Sequence, residues 1–208
     1  MNRTTSFTAI LTLTAVVGAG FWLSRATAKV ALPVVAAPSA APAAPKETLS
    51  ARIERGKHLV WTAACNDCHT PWKMGKNGPA PDSSRLLSGH PQDADLPPAP
   101  VLTPPWVMAA SATNTAWSGP WGTSFTANLT PDKDTGLGTW SEATFIATIR
   151  SGRHLGRGRP ILPPMPIPVY QNFTDEELGS IFAYLQSIPA ISNRVPDPLP
   201  PVAAPKRG

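Results

Sequence analysis

The chain has 208 residues and carries 18 Lys and Arg against 13 Asp and Glu, a formal charge of +5 with histidine neutral. That length suits one domain or little more. Its cations form no dense stripe, which argues against nucleic-acid binding and leaves weak steering toward an acidic partner protein as the most that charge alone can do.

Residues 1–28 stand apart from the rest. Asn2-Arg3 is a short positive lead, Phe7 to Leu23 is uncharged and largely apolar, and Ala26-Thr27-Ala28 is a small-x-small cleavage site. The apolar run is long for a signal-peptide core and short for a spanning helix. It reads as a signal peptide, or else as an N-terminal anchor; in both cases the body is exported. Cleavage would remove Arg3 and Arg25 and no acid, lowering the charge from +5 to +3. Residues 29–49 form an Ala/Pro-rich linker that cannot bury a core.

The first helix is expected to begin near Ser50, capped by that residue, with Ile53, Gly56, Val60 and Ala64 as its stripe. Glycine inside a helix is unfavourable unless another element approaches closely, so Gly56 predicts a helix crossing. The same helix is expected to run on through Cys65-Asn66-Asp67-Cys68-His69 and to stop at Pro71. These are the chain's two cysteines, and C-x-x-C-H is the attachment signature of a c-type haem. Two thiols three positions apart can each form a thioether with the porphyrin, and the adjacent histidine becomes the proximal iron ligand. A thioredoxin-like C-x-x-C needs a βαβ context that is missing here. A structural zinc site needs four Cys or His ligands, and His58, His90 and His154 are scattered.

The insertion 71–125 carries ten prolines and no helical period. Pro97-Pro98 and Pro104-Pro105 oppose regular pairing, while Trp72, Trp106, Trp117 and Trp121 suggest that parts of it pack down. It reads as an irregular wrap that shields the cofactor, with a partner-docking surface as the other option. A second helix is expected after Gly136 and Gly138, with Thr139 and Glu142 as capping box, Phe145, Ile146 and Ile149 buried, and Gly152 at its end. Pro-rich residues 153–173 contain Met165. A third helix opens on the box Thr174 to Glu177, buries Leu178, Ile181, Phe182 and Leu185, and ends at Pro189. Residues 190–208 are a Pro-rich tail. The fold class is mainly α: a small helical domain over 50–189 around one covalent haem, with the long insertion. So thin a core needs the porphyrin's apolar surface, so the apo chain is expected to fold poorly.

Three blocks carry a family resemblance: Gly56-Lys57-His58-Leu59-Val60 with Cys65 to Thr70; Ala127 to Asp132 with Gly136 to Ser141; and Pro163-Pro164-Met165-Pro166 with Thr174 to Leu178 and Ala183-Tyr184-Leu185. They resemble a single-haem, class I-type cytochrome c of the bacterial periplasm, and the last two resemble the haem modules of cytochrome subunits of alcohol and aldehyde dehydrogenases. The resemblance implies that Gly56 and Tyr184 mark a crossing of the first and last helices.

Of the three methionines outside the N-terminal segment, Met74 is five residues past His69 and Met108 lies in the insertion, whereas Met165 is held between prolines. The resemblance also implies Met165 as the distal axial ligand. His90 and His154, expected as solvated loop residues, are alternatives, and His58 reads as a surface residue. Arg150, Arg153, Arg157 and Arg159 form a basic patch, one of which could neutralise a haem propionate. Filled axial positions imply an electron carrier and not an enzyme, working with periplasmic redox proteins between a dehydrogenase and a respiratory acceptor. The alternatives are a haem enzyme or ligand sensor with a displaceable sixth ligand, and a haem subunit of a respiratory complex.

Overall fold

The computed structural model describes residues 47–201. The expected signal peptide or anchor, most of the linker 29–49 and the last residues of the tail lie outside the described residues. The remainder is mainly helical, with two small sheets.

Helix α1 spans Leu49–Thr62 and is capped by Thr48, whose side chain accepts from the Ala51 amide. The cap is therefore not Ser50. The earlier start adds a bond from the Arg52 amide to the Thr48 carbonyl and lets Arg55 pair with Glu47. Nor does α1 run through the cysteines. It stops at Thr62, Ala64 takes a left-handed conformation (φ 59°), and a separate helix α2 covers Cys65–His69. The break gives the C-x-x-C-H turn an axis of its own.

The insertion is more regular than its prolines suggest. Strands β1 (Trp72–Gly75) and β2 (Gly78–Pro81) form an antiparallel hairpin. Pro79 and Pro81 are two residues apart, so their missing N–H groups both lie on the side away from β1, as an edge strand permits. A three-stranded sheet follows, in the order β3 (Ala109–Ala110), β4 (Ala116–Gly119) and β5 (Gly122–Phe125). Between them, residues 91–108 contain only turns. Trp72, Trp117 and Trp121 are half-buried, but Trp106 is 72% exposed and does not pack down. The insertion is stitched to the body by backbone bonds: Gly89 donates to the His69 carbonyl, His90 to Thr126 and Leu129 to Leu87.

Helix α3 spans Glu142–Ser151 and ends at Gly152 (φ 64°). Its cap is Ser141, bonded to the Thr144 amide, and not Thr139, which belongs to the preceding turn. The short helix α4 covers Ile167–Tyr170, and α5 covers Asp175–Ser187 with the expected capping box of Thr174 and Glu177. Helices α1 and α5 cross at Gly56, where a Cβ would overlap the Ser180 carbonyl and stand 3.0 Å from Tyr184 Cβ. Val60, Phe145, Ile149, Leu178, Ile181 and Leu185 line the space among the helices. The stretch after Pro189 lies against the insertion. Asn193, 1% exposed, donates to the Ser88 and His90 carbonyls and accepts from the Gln92 amide, and Leu199 pairs with Thr123 on β5.

Candidate functional site

Beyond the α1–α5 crossing the helices leave a space among them. Their apolar faces border a cavity of about 790 Å³, within the ~300–1,000 Å³ range of small-molecule and cofactor clefts. Its lining is mostly apolar, which suits a largely apolar occupant.

Cys65, Cys68, His69 and Met165 all line this cavity. His69 is buried, and its Nδ1 donates to the Ala127 carbonyl at 2.8 Å. That bond fixes the tautomer and leaves Nε2 with a free lone pair, the arrangement of a metal-ligating imidazole. Burial holds the ring's pKa below the usual histidine range, which keeps it neutral. Asn128, next to the accepting carbonyl, is itself fixed: it donates to the Ile191 carbonyl and accepts from the Thr130 amide and hydroxyl.

Cys65 and Cys68 are not joined in a disulfide. Burial pushes Cys65 up to about 11, and burial followed by the Asp67 carboxylate raises Cys68. A redox-active C-x-x-C has the opposite character, with a depressed thiol pKa. Among the described residues no three His, Cys, Asp or Glu side chains converge on a metal-ion site. Tyr170, which also lines the cavity, donates through its hydroxyl to the Ala63 carbonyl at 2.7 Å and so ties α4 to the chain just before Cys65. Its phenol is pushed up to about 12, chiefly by burial.

The other candidate ligands separate clearly. Met74 is 78% exposed on β1 and His58 is exposed on α1; neither borders the cavity. His90 is not a solvated loop residue: it is 1% exposed, bonded through Nδ1 to Thr115 Oγ1 at 2.9 Å and packed on Phe125, and does not line the cavity. Met108 and His154 do reach the lining; His154 is exposed and meets Trp140 edge-on. Of the expected basic patch, Arg159 borders the cavity. Arg150 instead joins α3 to α5, pairing with Asp175 and donating to the Gln171 and Phe173 carbonyls.

The residues present fit a haem. Beyond the thiols and the imidazole, two further lining residues, Trp117 in the insertion and Thr126 at its edge, have a buried indole Nε1 and hydroxyl with no partner among the protein's own groups. Such groups are costly unless an acceptor enters, and porphyrin carboxylates are acceptors. Arg194 also borders the cavity. None of Trp117, Thr126, Ser124 or Arg194 is legible in the sequence as a site residue, because each comes from the insertion, its edge or the tail and from no recognisable spacing.

Comparison with known proteins agrees with the geometry. Residues 53–189 match the cytochrome c family. The chain is 35% identical to a nicotinate dehydrogenase subunit of Pseudomonas putida over 148 residues, which is 71% of this chain and 9% of that protein. It is 28% identical to the fructose dehydrogenase cytochrome subunit of Gluconobacter japonicus over 135 residues, 65% of this chain and 21% of that one. It is 27% identical to the cytochrome c subunit of the quinone alcohol dehydrogenase of Gluconobacter oxydans over 161 residues, 74% of this chain and 27% of that one. The chain thus spans between 9% and 27% of the length of these relatives.

Proposed function

The chain belongs to the cytochrome c family, and from that premise we propose that it is a periplasmic electron carrier. In this reading one covalent haem c is held by Cys65 and Cys68, with His69 as proximal and Met165 as distal ligand. The observation that carries it is the convergence of these four side chains on one apolar cavity, with His69 Nδ1 already engaged by Ala127. When bound, haem c supplies an iron that changes oxidation state by one electron.

The chain's own groups set the terms of that exchange. The two cysteines tether the group, and the Ala127 carbonyl orients His69 and makes it a better donor. A thioether from Met165 favours ferrous over ferric iron and so raises the potential. The apolar walls built by Val60, Phe145, Ile149 and Leu178 exclude water and disfavour added charge, which acts in the same direction. The periplasm is proposed from residues 1–28, and a dehydrogenase as donor with a respiratory acceptor from the names of the relatives. Those names equally support a role as the haem subunit of a dehydrogenase complex.

The test is a mass and an absorption spectrum of the exported holoprotein. The mass is expected to equal that of the chain, with or without residues 1–28, plus one haem. The ferric spectrum is expected to contain a methionine-to-iron charge-transfer band that Met165→Ala abolishes, with a fall in midpoint potential. A mass without the added tetrapyrrole, or a Met165→Ala variant with unchanged band and potential, refutes the assignment.

A further inference from the structure

The segment carrying Met165 has few donors of its own. Across 162–166 only Leu162 and Met165 have an N–H, because the other three residues are prolines. Its C-terminal side is secured by α4: Ile167 donates to the Met165 carbonyl at 2.9 Å, and Val169 and Tyr170 donate to the Pro166 carbonyl. On its N-terminal side, among the described residues, a single side-chain hydrogen bond reaches it. Ser124 Oγ donates to the Pro163 carbonyl at 2.6 Å.

Ser124 comes from the insertion, on β5, and is 8% exposed. Ser124, Pro164 and Met165 all line the cavity. Its one proton goes to Pro163, since the Trp117 carbonyl is farther, at 3.4 Å. Its oxygen accepts from Trp121 Nε1 at 3.3 Å. Trp121, Ser124 and Pro163 thus form a one-way series in which each bond polarises the next. The strand behind it is pinned on both edges, by β4 and by the Thr123–Leu199 bridge.

We propose that Ser124 is a positioning residue for the distal ligand: its hydroxyl clamps the Pro163 carbonyl and so keeps Met165 seated in the haem cavity. The insertion is then part of the cofactor site, not merely a cover over it. The inference rests on Met165 being the distal ligand, as proposed above. Without the hydroxyl, a buried carbonyl loses its partner and the nearest remaining tie on that side is the Ile161 N–H to the Gly152 carbonyl, so a withdrawn arrangement of Met165 gains population.

Imidazole, added to the ferric holoprotein, reads that population, because it can take the distal position only where the thioether has left. Ser124→Ala is expected to bind imidazole about five- to tenfold more tightly than wild type, the factor that one net hydrogen bond is worth, and to show a weaker methionine–iron band and a lower midpoint potential. The shape-matched pair Ser124→Thr and Ser124→Val separates hydroxyl from packing and carries the test if the Ala variant fails to accumulate with haem. Thr is expected to keep the wild-type affinity and Val to behave like Ala. Equal imidazole affinity in Thr and Val, or wild-type affinity and band in Ser124→Ala while Met165→Ala loses the band, overturns the clamp. A wild type without the methionine band defeats the ligand assignment itself and the clamp with it.

Discussion

Gly56→Ala tests the helix crossing on which the site is built. On an open helix surface the change is stabilising by about 1 kcal/mol, because glycine is the poorer helix former. Here the new methyl meets the backbone carbonyl of Ser180 and, at 3.0 Å, Tyr184 Cβ. A backbone group cannot swing aside as a side chain can, so α1 and α5 must part by roughly an ångström at the contact. Intrusions of this size cost about 1–3 kcal/mol, and the rigidity of the obstacle places this one at the upper end. Parting the helices also stretches the bond from Arg55 Nε to Ser180 Oγ, now 3.0 Å, which adds about 1 kcal/mol. After the gain in helix propensity, the net loss is about 3 kcal/mol. For a domain of this size that corresponds to a fall in Tm of roughly 6–12 °C. Thermal melts of the holoprotein, followed by far-ultraviolet circular dichroism and by the haem's own absorption, measure it. A Tm equal to or above that of wild type refutes the reasoning, since it would mean that the crossing has room for a methyl.

Two further perturbations follow from buried polar groups. Asn193→Ala leaves the Ser88 and His90 carbonyls and the Gln92 amide without their partner; a loss of about 2–4 kcal/mol is expected by urea denaturation, and a loss below about 0.5 kcal/mol contradicts the network. For His90, burial and then the neighbouring Arg85 hold the folded-state pKa below the ordinary value, which is about 6.5. The unfolded chain therefore binds more protons in that window, and stability falls as pH drops below about 6.5, by at most about 1.4 kcal/mol per pH unit, until the folded pKa is reached. His90→Gln is expected to remove that share of the slope between pH 7.5 and 5 while His154, also depressed by burial and then by Arg159, contributes equally to both proteins. Identical slopes in urea midpoint against pH exclude His90 as a source.

What can be read from the chain and what cannot divide along a physical line. The C-x-x-C-H turn, the Gly56 crossing, the Gly152 stop and the Thr174–Glu177 box are each set by residues within a few positions of one another, or by one glycine whose cost needs an explanation. Short-range rules also place Met165 between fixed prolines, and the structure puts it on the cavity that Cys65, Cys68 and His69 share. The rules fail where two local options are equally good, as with Thr48 against Ser50 and Ser141 against Thr139, because the choice rests on partners such as Glu47 that the pattern does not weigh. They fail again in the insertion, where the number of prolines matters less than their phase; two prolines spaced by two, as at Pro79 and Pro81, suit an edge strand instead of forbidding one. The least legible features join an unremarkable atom to a distant one: the Ala127 carbonyl to an imidazole 58 positions away, and the Ser124 hydroxyl to a carbonyl 39 positions away. A carbonyl is present in every residue and a serine is common in any loop, so neither leaves a compositional trace. Their value comes from where β5 and the Ala127 turn are anchored. For this reason the insertion, which looks in sequence like a departure from the helical haem domain, supplies four of the side chains that border its cavity beyond the thiols and imidazole: Met108, Trp117, Ser124 and Phe125.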